Sequence, residues 1–169
     1  MEELKSELRD SMNVFDFYKT FSPLIAKLKD GHTELFFPIE TAITSNIEVF
    51  PYTVKINKTD TTVVIQKGIP DIEECQGMQI LSINGVIVKE LVSQACSMLS
   101  GEASHYKMER LSFFFSPLLY ILFSSNQFSV ECVDNGERKV KFIEGKPLSE
   151  YLEIFLSFND QIVPYSFRI

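Results

Sequence analysis

The chain has 169 residues, of which 45% are hydrophobic and 23% are charged, and this composition excludes a disordered or low-complexity protein. Its length suits one sizeable domain or two small ones. The formal net charge of −7 argues against nucleic acid as a partner, because a phosphate backbone would be repelled.

The N-terminal residues give no sign of export or membrane insertion. They are charged from residue 2 and lack the basic and then apolar layout of a signal peptide. The most apolar stretch, residues 111–123, is interrupted by Ser112, Ser116 and Pro117 and is shorter than the roughly 18 residues that suggest a membrane span. We therefore expect no membrane span, and these residues leave the localisation unknown.

Two helical patterns open the chain. Apolar residues recur at helical spacing over residues 4–15, and a second pattern follows Asp16, which we expect to cap it. Pro23 predicts a kink or break in this second helix, which should end at Asp30-Gly31. Residues 33–37 are β-prone and closed by proline, so they predict a short strand. These elements form an N-terminal helical segment over residues 1–45.

Three hairpins are predicted between residues 46 and 145, and they turn at residues 57–60, Asn84-Gly85 and residues 134–136. Asn84-Gly85 is the strongest local signal, because both residue types tolerate the positive φ angles of a type I′ turn. Two helical patterns lie between the second and third hairpins, and Pro117 is expected to divide the later one.

The predicted fold class is α+β, with the N-terminal helical segment followed by a β-sheet module over residues 46–145. A helical insertion at about residues 89–123 interrupts this module. Residues 146–169 hold a predicted helix over residues 147–155 and a predicted strand over residues 162–169. This last strand has no obvious partner in the sequence.

The sequence indicates neither a metal nor a cofactor. Cys75, Cys96 and Cys132 are widely spaced and form no C-x-x-C pair, so we expect free thiols rather than a zinc site or a disulfide framework. The common phosphate-loop, dinucleotide, zinc-protease and hydrolase-elbow motifs do not occur.

Any imidazole chemistry must use His32 or His105, the two histidines of the chain. His105 opens a helical pattern among polar residues and is expected to be solvent-exposed. His32 follows Asp30-Gly31 at a helix-to-strand turn, where a side chain can project from a constrained backbone. A histidine in such a turn can be catalytic or structural, and its position alone favours the structural role.

Two motifs together resemble a known family. The sequence Asp30-Gly31-His32-Thr33 precedes a β-rich segment, and residues 77–85, ending in Asn84-Gly85, resemble the G-D-x-I-x-x-I-N-G sequence of PDZ domains. This order resembles the front half of the tail-specific, or carboxy-terminal processing, serine peptidases, including their tricorn-core relatives. Met78 stands where the PDZ sequence has aspartate. The resemblance implies an N-terminal helical segment, a PDZ-like module and a later α/β protease domain.

The resemblance also implies roles for residues. In tricorn-type members a histidine before the PDZ-like module is the general base, and His32 matches it by order along the chain, with Gly31 where that pattern has serine. Other members use a Ser-Lys dyad in the later domain, which would leave His32 a structural residue. Because the nucleophile belongs to the later domain, we expect these 169 residues to hydrolyse no peptide alone. The family suggests a periplasmic or extracytoplasmic location.

A PDZ groove binds an extended C-terminus by strand addition between one strand and a helix. By position, that strand covers residues 52–56, the loop before it at Phe50-Pro51 receives the carboxylate, and the helix covers residues 88–98. The expected peptide-binding residues are Phe50, Tyr52, Val54 and Ile56, and the expected partners are peptide or protein C-termini and the missing protease domain. The alternative is that Tyr52, Val54 and Ile56 form only one face of a sheet strand.

Three interpretations of the whole chain remain open. The first is the non-catalytic N-terminal and PDZ-like portion of a tail-specific-type serine peptidase, which positions peptide substrate for a protease domain absent from this chain. The second is a stand-alone PDZ-like peptide-binding or interaction module. The third is an unrelated α+β domain, since Asp-Gly and Asn-Gly are common turns.

Overall fold

A computed structural model describes residues 11–30, 32–70, 72, 74–101 and 103–158 of the chain. The helices in these residues are α1 (Val14–Ala26), α2 (Ile39–Thr44), α3 (Val88–Ser97), α4 (Ser104–Phe123) and α5 (Leu148–Phe158). The strands are β1 (Glu48–Val49), β2 (Tyr52–Ile56), β3 (Val63–Gly68), β4 (Gln79–Ile83), β5 (Val86–Ile87), β6 (Gln127–Asp134), β7 (Glu137–Glu144) and β8 (Lys146–Pro147).

The main sheet is antiparallel and has the strand order β2-β3-β4-β6-β7, with the short β5 also paired to β4. A separate two-stranded sheet joins β1 to β8. Helix α4 packs on β2, and α3 packs on α4 and on β4. The expected α+β class is therefore confirmed.

The two tightest hairpins follow from local turn chemistry, as predicted. Asn84 and Gly85 have φ angles of 49° and 78°, and Asn135 and Gly136 have φ angles of 50° and 85°. Positive φ at both central residues is the type I′ conformation, whose twist matches that of the flanking strands. These turns set the register of β4 with β5 and of β6 with β7.

Helix α1 begins earlier than the sequence suggested. The side chain of Asn13, not that of Asp16, caps it, and the side-chain oxygen Oδ1 of Asn13 accepts hydrogen bonds from the backbone N–H groups of Phe15 (3.0 Å) and Asp16 (2.9 Å). Asp16 instead lies in the first turn, where its charge is favourable to the helix dipole. The prediction that Asp16 caps the helix was wrong, because the asparagine three residues earlier already pairs with the free backbone N–H groups of the first turn.

Neither internal proline ends its helix. Pro23 lies inside α1, and Pro117 lies inside α4, which continues unbroken to Phe123. The prediction that Pro117 divides the second insertion helix was therefore wrong. Helix α4 is buried against β2 and α3, and this packing outweighs the backbone hydrogen bond that a proline removes.

Two strand predictions also need correction. Residues 33–37 form no strand, and Phe37 packs instead against the ring of Tyr18 with 5.6 Å between ring centroids. The residues expected to form the first strand of the hairpin that turns at 57–60, residues 48–56, are divided at Phe50 and Pro51. Its first part leaves the main sheet and pairs with β8.

One hydrophobic cluster unites the described parts of the chain. It includes Tyr18 from α1, Ile65 from the centre of the sheet and Tyr151 from α5. The divisions at residues 45 and 145 stay predictions. No helix in the described residues is both long and apolar enough to cross a membrane. The helical pattern predicted around Leu4 and Leu8 and the strand predicted over residues 162–169 lie outside the described residues.

Candidate functional site

The turn that carries His32 is organised by the Asp30 carboxylate. Its two oxygens accept hydrogen bonds from the backbone N–H of His32 (3.0 Å) and from the hydroxyl of Thr33 (2.7 Å). Both hydrogen bonds hold the pKa of Asp30 below its ordinary value, and the bond from Thr33 has the larger effect. Gly31 lies outside the described residues. The sequence motif thus includes an Asx-type turn that fixes the backbone of His32.

The side chain of His32 is exposed at this turn. Among the described residues, no serine hydroxyl and no cysteine thiol forms a hydrogen bond to the imidazole of His32 or of His105. The described part of the chain therefore holds a histidine on an anchored backbone but no nucleophile beside it. Whether His32 is a general base stays a prediction.

An ion pair ties the segment after His32 to helix α4. The carboxylate of Glu34 and the guanidinium of Arg110 are in contact, and their side chains are only 15% and 19% exposed. Arg110 also donates to the carbonyl of Ser100 (3.4 Å) and lies 5.8 Å from the ring centroids of Tyr106 and Phe114. Sequence reasoning missed this pair, because its residues are separated by 76 positions.

Tyr18 lies close enough to Glu34 and Arg110 for their charges to affect the pKa of its phenol. Burial raises the pKa of Tyr18 to about 12, while the charge of Arg110 acts in the opposite direction. The phenol therefore stays protonated at neutral pH. The loop that follows His32 is thus held by an ion pair, by aromatic rings and by the packing of Phe37 on Tyr18.

The four residues predicted to bind peptide lie in the core. Phe50, Tyr52, Val54 and Ile56 are at most 6% exposed. Helix α4 packs against the same strand, and the hydroxyl of Ser116 donates to the backbone carbonyl of Tyr52 at 3.0 Å. Because these side chains are buried, β2 offers a ligand only its backbone and the exposed side chain of Lys55. Their role in peptide binding stays a prediction.

The helix expected to form the other wall of that groove also has neighbours that the helix of an open PDZ groove lacks. Helix α3 covers most of the predicted residues 88–98, but α4 packs against both α3 and β2. The long insertion helix therefore occupies the side of β2 where a peptide was expected. Composition and periodicity cannot reveal which of two neighbouring helices lies beside a given strand.

Asn84 forms hydrogen bonds to β6 in addition to its place in the β4–β5 turn. Its side-chain oxygen accepts from the backbone N–H of Ser129 at 2.8 Å, and its side-chain nitrogen donates to the carbonyl of Gln127 at 3.2 Å. Its own backbone N–H donates to the carbonyl of Ser129 at 2.8 Å. The Asn84-Gly85 motif therefore joins the β4–β5 turn to β6, which is a structural role.

A groove that the sequence did not suggest opens beside the end of β7. We call it the β7 groove; its volume is about 1080 Å³, and its lining includes Tyr52, Ile72, Asn84, Gln127, Phe142 and Glu144. A smaller hollow of about 340 Å³ adjoins it and shares Gln127, Glu144 and Lys146 with it. His32 lines neither hollow. The exposure of Phe142 could not be predicted locally, because Val140 and Phe142 alternate with Lys139 and Lys141 in the sequence as core-facing residues of a strand would.

The described residues hold no cluster of three or more histidine, cysteine, aspartate or glutamate side chains with the geometry of a metal site. Cys75 and Cys132 are buried free thiols, and Cys96 is a half-buried one. The expected free thiols are thus observed.

Comparison with known proteins gives a likeness in structure and none in sequence. No family model matches the chain, and no curated protein matches it in sequence. A crystal structure of a mutant of CPAF, a serine protease of the tail-specific type, matches with a TM-score of 0.58 and 15% sequence identity. The match covers 95% of this chain and 32% of the CPAF chain, so this chain spans about a third of that chain. At this identity the likeness establishes a shared fold.

Proposed function

We propose that this chain is a non-catalytic portion of a tail-specific-type serine peptidase, in which it positions a polypeptide for a protease domain formed by other residues. The observation that carries the proposal is the fold match of nearly the whole chain to one third of CPAF. The motif order, with Asp30 and His32 before the sheet and Asn84-Gly85 within it, supports the same relationship. The proposal includes the two boundaries predicted from the sequence: the N-terminal helical segment ends at residue 45, and the PDZ-like module ends at residue 145.

The chemistry of peptide hydrolysis supports the proposal that the described residues do not hydrolyse peptides by themselves. A serine peptidase needs a nucleophile, a base and oxyanion donors within hydrogen-bond reach of one another. His32 can supply the base, since its backbone is fixed by Asp30 and its side chain faces outward. A nucleophile from another domain could approach it there without displacing packed residues of this chain.

A stand-alone PDZ-like peptide-binding or interaction module is the second candidate. The β7 groove favours it, because the groove is formed wholly by residues that the structure describes. A binding function of this kind needs no protease domain.

Extending the reading frame past codon 169 separates the two candidates. We expect a downstream α/β segment, and we expect the longer polypeptide to hydrolyse unstructured peptides while residues 1–169 leave them intact. A stop codon directly after codon 169 would assign the chain to the second candidate. Reproducible hydrolysis by residues 1–169, blocked by a serine-directed fluorophosphonate, would overturn both.

The role of His32 is tested in the longer polypeptide. If it is the general base, His32→Ala lowers kcat by about 10²- to 10⁴-fold, the usual contribution of general-base catalysis. His105→Ala is the matched control and should leave kcat unchanged, because His105 lies on the surface at the start of α4. Equal kcat values for the wild type and His32→Ala would assign His32 to structure alone.

A further inference from the structure

Strand β7 is an open edge of the main sheet. It pairs along all eight of its residues with β6, and no described strand pairs with its other side. An edge of this kind presents backbone N–H and C=O groups that can pair with an added strand. The opposite edge strand, β2, packs against α4, and the Ser116 hydroxyl of α4 donates to the backbone carbonyl of Tyr52. Of the two edges, β7 is therefore the less covered one.

The outer face of the sheet beside this edge carries two exposed apolar side chains. Phe142 is 85% exposed and Val140 is 58% exposed, and both point to the same face of β7. The next positions on this face are polar, since Val140 lies opposite Glu131 and Glu131 lies opposite Ser82. The core makes no use of these apolar side chains, so their exposure needs another explanation.

The cations of β7 are already neutralised. Arg138 contacts Glu131 at 3.3 Å, Lys139 contacts Asp134 at 2.6 Å, and Lys141 contacts Glu74 at 3.1 Å. Hydrogen bonds to these carboxylates raise the pKa of both lysines. The edge therefore has little positive charge to offer an acidic partner.

The end of β7 is acidic. Glu144 faces the hollow next to the β7 groove, together with Glu48 and Glu150, and Lys146 is the one cation among the residues that line this hollow. In the described structure none of the three carboxylates forms an ion pair. Three carboxylates against one ammonium give this end of the groove a negative potential, which favours basic side chains.

We propose that the free edge of β7 and the β7 groove bind an extended polypeptide segment as an added strand. The segment has alternating apolar side chains, which lie against Val140 and Phe142, and it carries lysine or arginine at the end beside Glu144. A volume of about 1080 Å³ suffices for such a segment, since ligand sites commonly occupy about 300–1,000 Å³. The inference rests on the proposed function, because it names the polypeptide that the chain would position.

The test uses residues 1–169 and synthetic peptides. Two fluorescein-labelled peptides carry alternating valine and threonine, with Lys-Arg at the N-terminal end of one and at the C-terminal end of the other. A third has Glu-Glu in place of Lys-Arg, and a fourth has N-methylated backbone on alternate residues. We expect fluorescence anisotropy to show binding of one basic peptide, at least tenfold weaker binding of the acidic one, and loss of binding on N-methylation.

Variants then locate the site. Phe142→Ser should weaken binding about tenfold, and Glu144→Gln should weaken it severalfold and reduce its salt dependence. Phe36→Ser is the matched control, because Phe36 is 64% exposed and lies far along the chain, outside the β7 groove. Circular dichroism and a thermal melt should match those of the wild type for all three variants.

Four results would overturn the proposal. Three are the absence of binding at 1 mM peptide, equal binding of the basic and acidic peptides, and equal effects of Phe142→Ser and Phe36→Ser. The fourth is an NMR titration with the basic peptide in which the amide shifts centre on β2 and α3 rather than on β7. None of these results bears on hydrolysis by the longer polypeptide, so the failure of this inference and the failure of the proposed function are distinguishable.

Discussion

The hydroxyl of Tyr151 donates a hydrogen bond to the backbone carbonyl of Phe113 at 3.2 Å, four residues before Pro117. In an unbroken helix the N–H of residue 117 would donate to this carbonyl, but proline has no N–H. Burial raises the pKa of Tyr151, so the phenol remains protonated and can donate. Helix α5 thus supplies a donor to a carbonyl that lacks the usual i+4 backbone donor.

This relationship predicts a coupling between Tyr151 and Pro117. Tyr151→Phe should lower the free energy of unfolding by about 1–2 kcal/mol, because a buried carbonyl loses its donor. In a Pro117→Ala background the same change should cost less than about 0.5 kcal/mol, because the restored backbone N–H can bond the carbonyl. Urea denaturation of the four proteins measures the difference. Equal costs in the two backgrounds would contradict the coupling.

The features that the sequence predicted correctly are local ones. The Asn84-Gly85 turn and the turn at residues 134–136 follow from residues that adopt positive φ with little strain, and each turn defines its own hairpin. The error at Pro117 has a distant cause, since the residue that compensates for it, Tyr151, lies 34 positions later. Proline rules describe an isolated helix and do not include such a partner.

The sequence likewise predicted only the local parts of the candidate site. The Asp30 turn around His32 is visible in four consecutive residues, whereas Glu34 and Arg110 meet only because the fold brings α4 beside the N-terminal segment. The β7 groove was missed because it depends on which strands lie at the sheet edges. Strand order results from the whole fold, and alternation along one strand carries no information about it.

A second prediction concerns the side-chain bonds of Asn84. Asn84→Ala should lower the free energy of unfolding by about 2 kcal/mol, because it loses two bonds to β6 and strains a left-handed residue. Asn135→Ala is the matched control. Asn135 has nearly the same φ, but its amide bonds only the adjacent Asp134. Asn135→Ala should lower the free energy of unfolding by about 1 kcal/mol. Equal losses for the two variants would refute a role for the Asn84 amide.

A third prediction concerns the pair that anchors the segment after His32. Arg110→Met should lower the free energy of unfolding by about 2 kcal/mol, because it leaves the largely buried carboxylate of Glu34 without its cation. Lys58→Met is the control, since Lys58 and Glu109 form an exposed pair and should lose less than about 1 kcal/mol. Thermal unfolding at equal protein concentration measures both. A larger loss for Lys58→Met would show that the Glu34 pair is not an anchor.

The fourth prediction concerns the pH dependence of the His32 turn. Asp30 has a pKa below its ordinary value of 3.8, first because of the Thr33 hydroxyl and next because of the His32 backbone N–H. Thr33→Val removes the first of these donors while keeping the shape of the side chain. The pKa of Asp30 should therefore rise toward 3.8 in this variant.

The direction of the stability effect follows from the sign of this shift. A carboxyl group whose pKa is lower in the folded than in the unfolded protein stabilises the fold above the unfolded pKa, and the stabilisation is lost as the pH falls through the folded pKa. The difference in stability between the wild type and Thr33→Val should therefore be constant near neutral pH and should shrink below about pH 4. Carbon-13 NMR titration of the carboxyl groups measures the pKa directly. Asp60, whose pKa is lowered by hydrogen bonds from Thr62, is the internal control and should not change. A Thr33→Val variant in which the pKa of Asp30 stays where it is in the wild type would show that the hydroxyl does not organise the turn.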